Sequence, residues 1–112
     1  MTTTIVVKLQ YEALHNWPGV VDAMPDKSHI HFLKYPHRHV FYITLEKIVL
    51  HDDRHIEIID FKQKVLKHLE HTFQGNFEHR SCEMIGEYLL KHFDCTSVEV
   101  LEDNENGAKV II

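Results

Sequence analysis

Long hydrophobic runs are missing from this 112-residue sequence, and no apolar stretch approaches the ~20 residues that a membrane-spanning helix needs. The first ten residues, MTTTIVVKLQ, carry no basic run and no small-residue cleavage site, so we expect no signal peptide. Basic residues are outnumbered by acidic ones, 12 to 17. The formal net charge is −5, and no lysine and arginine cluster is dense enough to follow a phosphate backbone. We therefore expect neither a membrane nor a nucleic acid as a partner.

Cysteine is scarce as well. Cys82 and Cys95 are the two cysteines of the chain, too few for a disulfide framework, and they favour a reducing, cytoplasmic location. All three prolines fall between Asn16 and Pro36, which predicts a long loop there. The length suits one domain, residues 1–112, with a single core.

The remaining segments predict an α+β fold. Alternation over residues 4–14 and an apolar, β-prone run over 37–50 indicate two strands, and 97–103 and 108–112 indicate two more, joined by a turn. Between the two pairs, an i+4 apolar stripe predicts a helix over 61–73. The resulting order is β-β-α-α-β-β, with antiparallel hairpins.

The predicted helices carry recognisable capping residues. The stripe of the first consists of Phe61, Val65, Leu69 and Phe73. Asp60 stands where an N-cap would, because a short acidic side chain can accept from free backbone N–H groups. Ser81 can cap a second helix over 82–93 in the same way.

Histidine is abundant, with 11 residues in the chain. His37 and His39 begin the second strand, and side chains at i and i+2 on a strand point to the same face. His15, at the end of the first strand, is the natural third ligand if the two strands pair. Three histidines and one open position form a common catalytic zinc site. The pattern alone is also compatible with ordinary strand residues, and a second H-x-H pair, His29 and His31, lies in the loop.

Six segments occur in an order and at spacings similar to one enzyme family: YEALH (11–15), PHRHVFYITLE (36–46), IIDF (58–61), LEHTF (69–73), SCEMIGEYL (81–89) and VEVLED (98–103). They resemble the 6-pyruvoyltetrahydropterin synthase and 6-carboxytetrahydropterin synthase family. Members adopt the T-fold, an antiparallel β-β-α-α-β-β sheet with two helices on one face. They assemble as trimers and hexamers with active sites at subunit interfaces. The resemblance implies a zinc-dependent lyase acting on 7,8-dihydroneopterin triphosphate or a related pterin or purine-like compound.

The resemblance also implies site residues. His15, His37 and His39 match the zinc ligands, although Arg38 replaces the family's glycine and Val40-Phe41 its Asn-Tyr. The matching catalytic pair is Glu70 and His71, and the matching substrate-binding residues are Cys82, Glu83 and Glu102. Each acid has a simpler interpretation: Glu70 as a solvated helix face, Glu83 as a first-turn acid, and Glu102 as a soluble hairpin end.

The family's reactive loop cysteine has no counterpart, because residues 16–36 contain no cysteine. Three hypotheses therefore remain: a pterin synthase-like lyase, a protein that binds zinc and a pterin or purine-like ligand without turnover, and a module that uses metal only to stabilise its fold.

Overall fold

The computed structural model describes residues 1–112 and contains a four-stranded antiparallel sheet in the order β1-β2-β3-β4. Strands β1 (Thr3–His15) and β2 (His37–Val49) pair along their whole length. Strand β3 (Ser97–Glu102) pairs with β2, and β4 (Asn106–Ile111) with β3. The predicted α+β class and the order of the main elements are confirmed.

Helices α2 (Ile58–Phe73) and α3 (Cys82–His92) pack their apolar faces on this sheet. The predicted apolar stripe of α2 is buried. It belongs to one cluster of 19 buried residues, to which β1, β2, β3 and α3 also contribute. None of the helices combines the length and the apolar character needed to cross a bilayer.

The start of α2 differs from the prediction. The helix begins at Ile58 rather than Phe61, and its N-cap is Glu57 rather than Asp60. The Glu57 carboxylate accepts from the backbone N–H groups of Ile59 and Asp60, at 3.1 and 2.7 Å. Asp60 instead lies in the first turn, where its charge favours the helix N-terminus. The longer glutamate side chain can reach the free N–H groups that the prediction assigned to a shorter acid.

The segment 16–36 is more ordered than a loop. It contains a short helix, α1 (Val20–Ala23), and a 3₁₀ helix, Ser28–Lys34. Val20 is fully buried, and the ring of His31 bonds through Nε2 to the carbonyl oxygen of Met24 at 2.8 Å. The prolines fall outside both helices, so they flank these short helices and do not interrupt them.

The β3–β4 hairpin turns tightly after Glu102. Asp103 and Asn104 both adopt left-handed backbone conformations, with φ of 54° and 59°, which aspartate and asparagine tolerate better than most residues. Gly107 lies against the backbone of β3, where a Cβ would overlap the carbonyl oxygen of Val100. This hairpin fixes Glu102 and Asp103 beside the first residues of β2.

Candidate metal centre

Strand register brings the three predicted ligands together at one end of the sheet. His15 ends the inward-facing series of β1 (Val7, Leu9, Tyr11, Ala13), and His37 and His39 begin the inward-facing series of β2. His15 lies opposite His37 in the β1–β2 pair, and His39 lies opposite Ala13. The ring centroids are 4.5 Å apart for His15 and His37, 5.2 Å for His15 and His39, and 5.1 Å for His37 and His39. The predicted convergence of these side chains is confirmed.

All three rings have their Nδ1 atoms bonded to oxygen. His15 Nδ1 lies 3.0 Å from the carbonyl oxygen of Arg80, and His37 Nδ1 lies 2.9 Å from that of Tyr35. His39 Nδ1 lies 2.7 Å from the Asp103 carboxylate. Because a carbonyl or carboxylate oxygen can only accept, each Nδ1 carries the proton and donates it. In its neutral form each ring therefore presents the lone pair of Nε2, the arrangement typical of metal-ligating histidines.

Glu102 lies within the same group. Its Oε2 atom is 2.8 Å from His15 Nε2 and 3.5 Å from His39 Nε2. One donor atom from each of His15, His37, His39 and Glu102 falls within 4.8 Å of the other three. Together these four residues could hold a metal ion, because imidazole and carboxylate are both common ligands of divalent metals.

The electrostatics couple these groups strongly. Burial disfavours the charged form of His15, but the contacts with Glu102 and the Arg80 carbonyl outweigh burial and raise the His15 pKa. The pKa of Glu102 is lowered, first by the His15 contact and then by the charges of His39 and His37, against the opposing effect of burial. Without a metal ion, a positive charge on His15 and the negative charge of the Glu102 carboxylate therefore stabilise each other.

Aromatic side chains form the floor of the group. Phe41 is fully buried, and its ring centroid lies 5.2 Å from that of His15 and 5.8 Å from that of His39. Phe77 packs edge-on against Phe41 at 5.0 Å. Such packing restricts the imidazole rotamers and lowers the local dielectric constant, which strengthens charge interactions above the floor.

A cavity of about 510 Å³ opens over the group. His15, His37 and Glu102 line one side, and the segment His79–Met84 at the start of α3 lines another. Trp17 and Leu33, from the segment before β2, also line the cavity. The volume lies within the ~300–1,000 Å³ typical of small-molecule sites. The predicted substrate-binding residues Cys82, Glu83 and Glu102 thus lie around one cavity together with two of the histidines.

The predicted catalytic pair lies elsewhere. Glu70 and His71 are exposed near the end of α2, and neither lines the cavity. The Glu70 carboxylate accepts a hydrogen bond from the Tyr11 hydroxyl at 3.2 Å rather than from the His71 ring. Within a single chain, these two residues are therefore not brought to the candidate metal centre.

Both cysteines are buried and unpaired. Burial, followed by the charges of Glu102 and Glu83, raises the pKa of Cys82 to about 12. Burial also raises the pKa of Cys95 to about 11. Because the thiolate is the nucleophile, neither side chain is activated in this environment.

Sequence reasoning missed Asp103, Arg80 and Trp17. Asp103 orients His39, the Arg80 carbonyl orients His15, and Trp17 lines the cavity. The acidic pair Glu102-Asp103 at a hairpin end is a visible signal, but its meaning depends on the β2–β3 register, in which Phe41 lies opposite Glu102. No local pattern indicates the contribution of the Arg80 backbone.

No protein-family model matches the chain, and no curated protein matches it. The resemblance to the tetrahydropterin synthases therefore rests on the six quoted segments and stays a prediction. The class that the fold and site define is an α+β protein with a group of three histidines and one glutamate that could hold a metal ion.

Proposed function

We propose that this chain is a zinc-dependent lyase of the tetrahydropterin synthase type, with a T-fold, acting on 7,8-dihydroneopterin triphosphate or a related pterin or purine-like compound. The observation that carries the proposal is the three-histidine group, in which every Nδ1 is bonded to oxygen and two members, His15 and His37, line a ligand-sized cavity. When bound, zinc would act as a Lewis acid on side-chain oxygens of the substrate.

The lining of the cavity supports a flat heterocycle with N–H donors. Glu83, Glu102 and Trp17 all line the same cavity. A carboxylate that accepts two adjacent N–H groups makes a short, charge-assisted contact, and an aromatic ring offers a surface for stacking. The protonated thiol of Cys82 adds a small, weakly polar part of the wall.

Proton transfer is assigned to the pair His71 and Glu70 that the resemblance implies. Because both lie outside the cavity of their own chain, the proposal includes a homo-oligomer, a trimer or hexamer, in which one subunit's α2 approaches the metal centre of another. The two unpaired cysteines agree with the cytoplasmic location that the proposal includes.

A second function is favoured by the state of the thiols. Cys82 and Cys95 are buried with raised pKa values, and the segment before β2 supplies no cysteine. A chain with the cavity and metal but no reactive thiol suits a binding protein that sequesters a pterin or purine-like ligand, or a regulatory subunit.

The experiment is to incubate the zinc-loaded protein with 7,8-dihydroneopterin triphosphate and follow substrate and products by mass spectrometry. Turnover that is lost in His71→Ala, while the zinc content is retained, supports the lyase. Binding by isothermal titration without turnover supports the sequestering protein. Zinc content with neither binding nor turnover rejects both functions and leaves a metal that only stabilises the fold.

A further inference from the structure

We infer that Glu102 is a fourth ligand of the metal ion, so that the resting centre is closed and a substrate enters by displacing this carboxylate. The inference rests on the metal site of the proposed function and adds how access to that metal is controlled. A three-histidine site with a water in the fourth position is the alternative arrangement.

The first argument is the spacing of the donor atoms. Two ligands held about 2.1 Å from a tetrahedral zinc ion are separated by about 3.4 Å. Glu102 Oε2 lies 2.8 Å from His15 Nε2 and 3.5 Å from His39 Nε2. One distance is shorter and the other longer than the expected separation. A small movement of the carboxylate would therefore place Oε2 at the expected distance from both Nε2 atoms.

The second argument is the unusual contact between His15 and Glu102. The Nε2 atom of His15 is buried and has no partner in hydrogen-bond geometry, although Oε2 of Glu102 is 2.8 Å away. With Nδ1 of His15 donating to the Arg80 carbonyl, a neutral ring turns the Nε2 lone pair toward an anionic oxygen. Two such atoms repel each other unless a cation lies between them, which is a proton in the metal-free protein and a metal ion once one is bound. A metal ion bound to both satisfies the pair.

The third argument is how the backbone holds Glu102 and what surrounds its side chain. Pairing with Phe41 places Glu102 at the last position of β3, and the tight turn follows at once. The backbone is therefore fixed, while the side chain keeps 30% of its surface exposed and lines the cavity. This combination allows the carboxylate to rotate away from the metal ion without moving the strand.

The exchange defines the ligand chemistry that opens the centre. An incoming molecule must supply an oxygen donor to the metal ion in place of Oε2. It must also carry N–H groups that the released carboxylate can accept, because an unpaired carboxylate beside the aromatic floor is unfavourable. A neutral diol without N–H donors satisfies only the first condition and is expected to bind weakly.

The test compares zinc affinity in the full chain and two matched variants, by competition with a chromophoric chelator. Glu102→Gln removes the proposed ligand atom at constant size. Glu83→Gln makes the same change on another carboxylate that lines the cavity but lies outside the donor group. We expect Glu102→Gln to weaken zinc binding by about 100-fold or more, because loss of residues that only orient ligands already costs roughly 10–100-fold. Glu83→Gln is expected to match the wild type. Equal affinities of all three proteins would overturn the inference.

A second measurement addresses the closed centre directly. In the Co²⁺-substituted proteins, azide is titrated and the visible absorption of the metal ion is followed. Azide is expected to change the spectrum of Glu102→Gln at concentrations that leave the wild type and Glu83→Gln unchanged. A spectral change in the wild type at the same azide concentration as in Glu102→Gln would show that the wild-type metal already has an open position. This result would overturn the inference even if Glu102→Gln folds poorly in the zinc assay.

The outcomes separate this inference from the proposed function. Closed coordination in a protein that neither binds nor converts a pterin supports the role of Glu102 and rejects the proposed function. Pterin turnover with an unchanged zinc affinity in Glu102→Gln supports the proposed function and rejects the inference. Absence of metal binding by the wild type rejects both.

Discussion

Replacing Asp103 with asparagine tests whether the hairpin turn orients the metal ligands. The Asp103 carboxylate accepts from His39 Nδ1 at 2.7 Å and from the backbone N–H of Val40 at 3.0 Å. The two hydrogen bonds go to different carboxylate oxygens. Asparagine replaces one of these oxygens with an NH₂ group, so in the same geometry it accepts only one of the bonds, and it removes the negative charge behind His39. It does tolerate the left-handed backbone at this position, where φ is 54°. The change therefore removes an interaction and leaves the turn intact.

We expect Asp103→Asn to weaken zinc binding by about 10–100-fold, the range found when a carboxylate behind a ligating histidine is lost. The assay is chelator competition on the purified protein. Asp94→Asn is the matched control, because Asp94 also has a left-handed backbone, with φ of 53°, and lies outside the donor group. Equal zinc affinity in Asp103→Asn and Asp94→Asn would refute the reasoning, because His39 would then hold its orientation without the carboxylate.

Three further predictions concern the fold and are measured by urea denaturation. Gly107→Ala should lower the free energy of unfolding by about 3 kcal/mol, because the added Cβ overlaps the Val100 carbonyl; an unchanged midpoint would contradict this packing. Glu57→Ala should cost about 1 kcal/mol, and Asp60→Ala less, if Glu57 is the cap. The pKa of His68 is lowered, mainly by burial, so the unfolded chain takes up that proton first as the pH falls through the ordinary value of 6.5. Below that pH, the free energy of unfolding should therefore fall more in the wild type than in His68→Gln. Equal decreases in the two proteins would contradict the lowered pKa of His68.

The strands and the metal ligands could be predicted from the sequence because their signals are local. Alternation placed His15, His37 and His39 on inward faces, and strands that follow one another in the chain usually pair as neighbours, even across a connection as long as residues 16–36. Their convergence therefore needed little further information. The boundary of α2 was harder to predict, because both Glu57 and Asp60 offer a carboxylate near the helix start. Which of them reaches the free N–H groups depends on the path of the preceding chain.

The surroundings of the ligands could not be predicted, because they depend on contacts between distant parts of the chain. The Arg80 carbonyl reaches His15 across 65 positions, and Asp103 reaches His39 across 64. The cavity wall combines the segment before β2 with the start of α3. A role for Glu70 and His71 depends on a second subunit, so it stays a prediction that the single chain does not test.

The central claim is that three Nε2 atoms converge on one divalent ion, and zinc stoichiometry after equilibrium dialysis tests it most directly. His29→Ala is the control for His39→Ala, because His29 belongs to the other H-x-H pair and lies outside the donor group. The account predicts one zinc ion per chain in the wild type and His29→Ala, and its loss in His39→Ala. A wild-type protein without zinc, or equal zinc in all three proteins, would contradict the account.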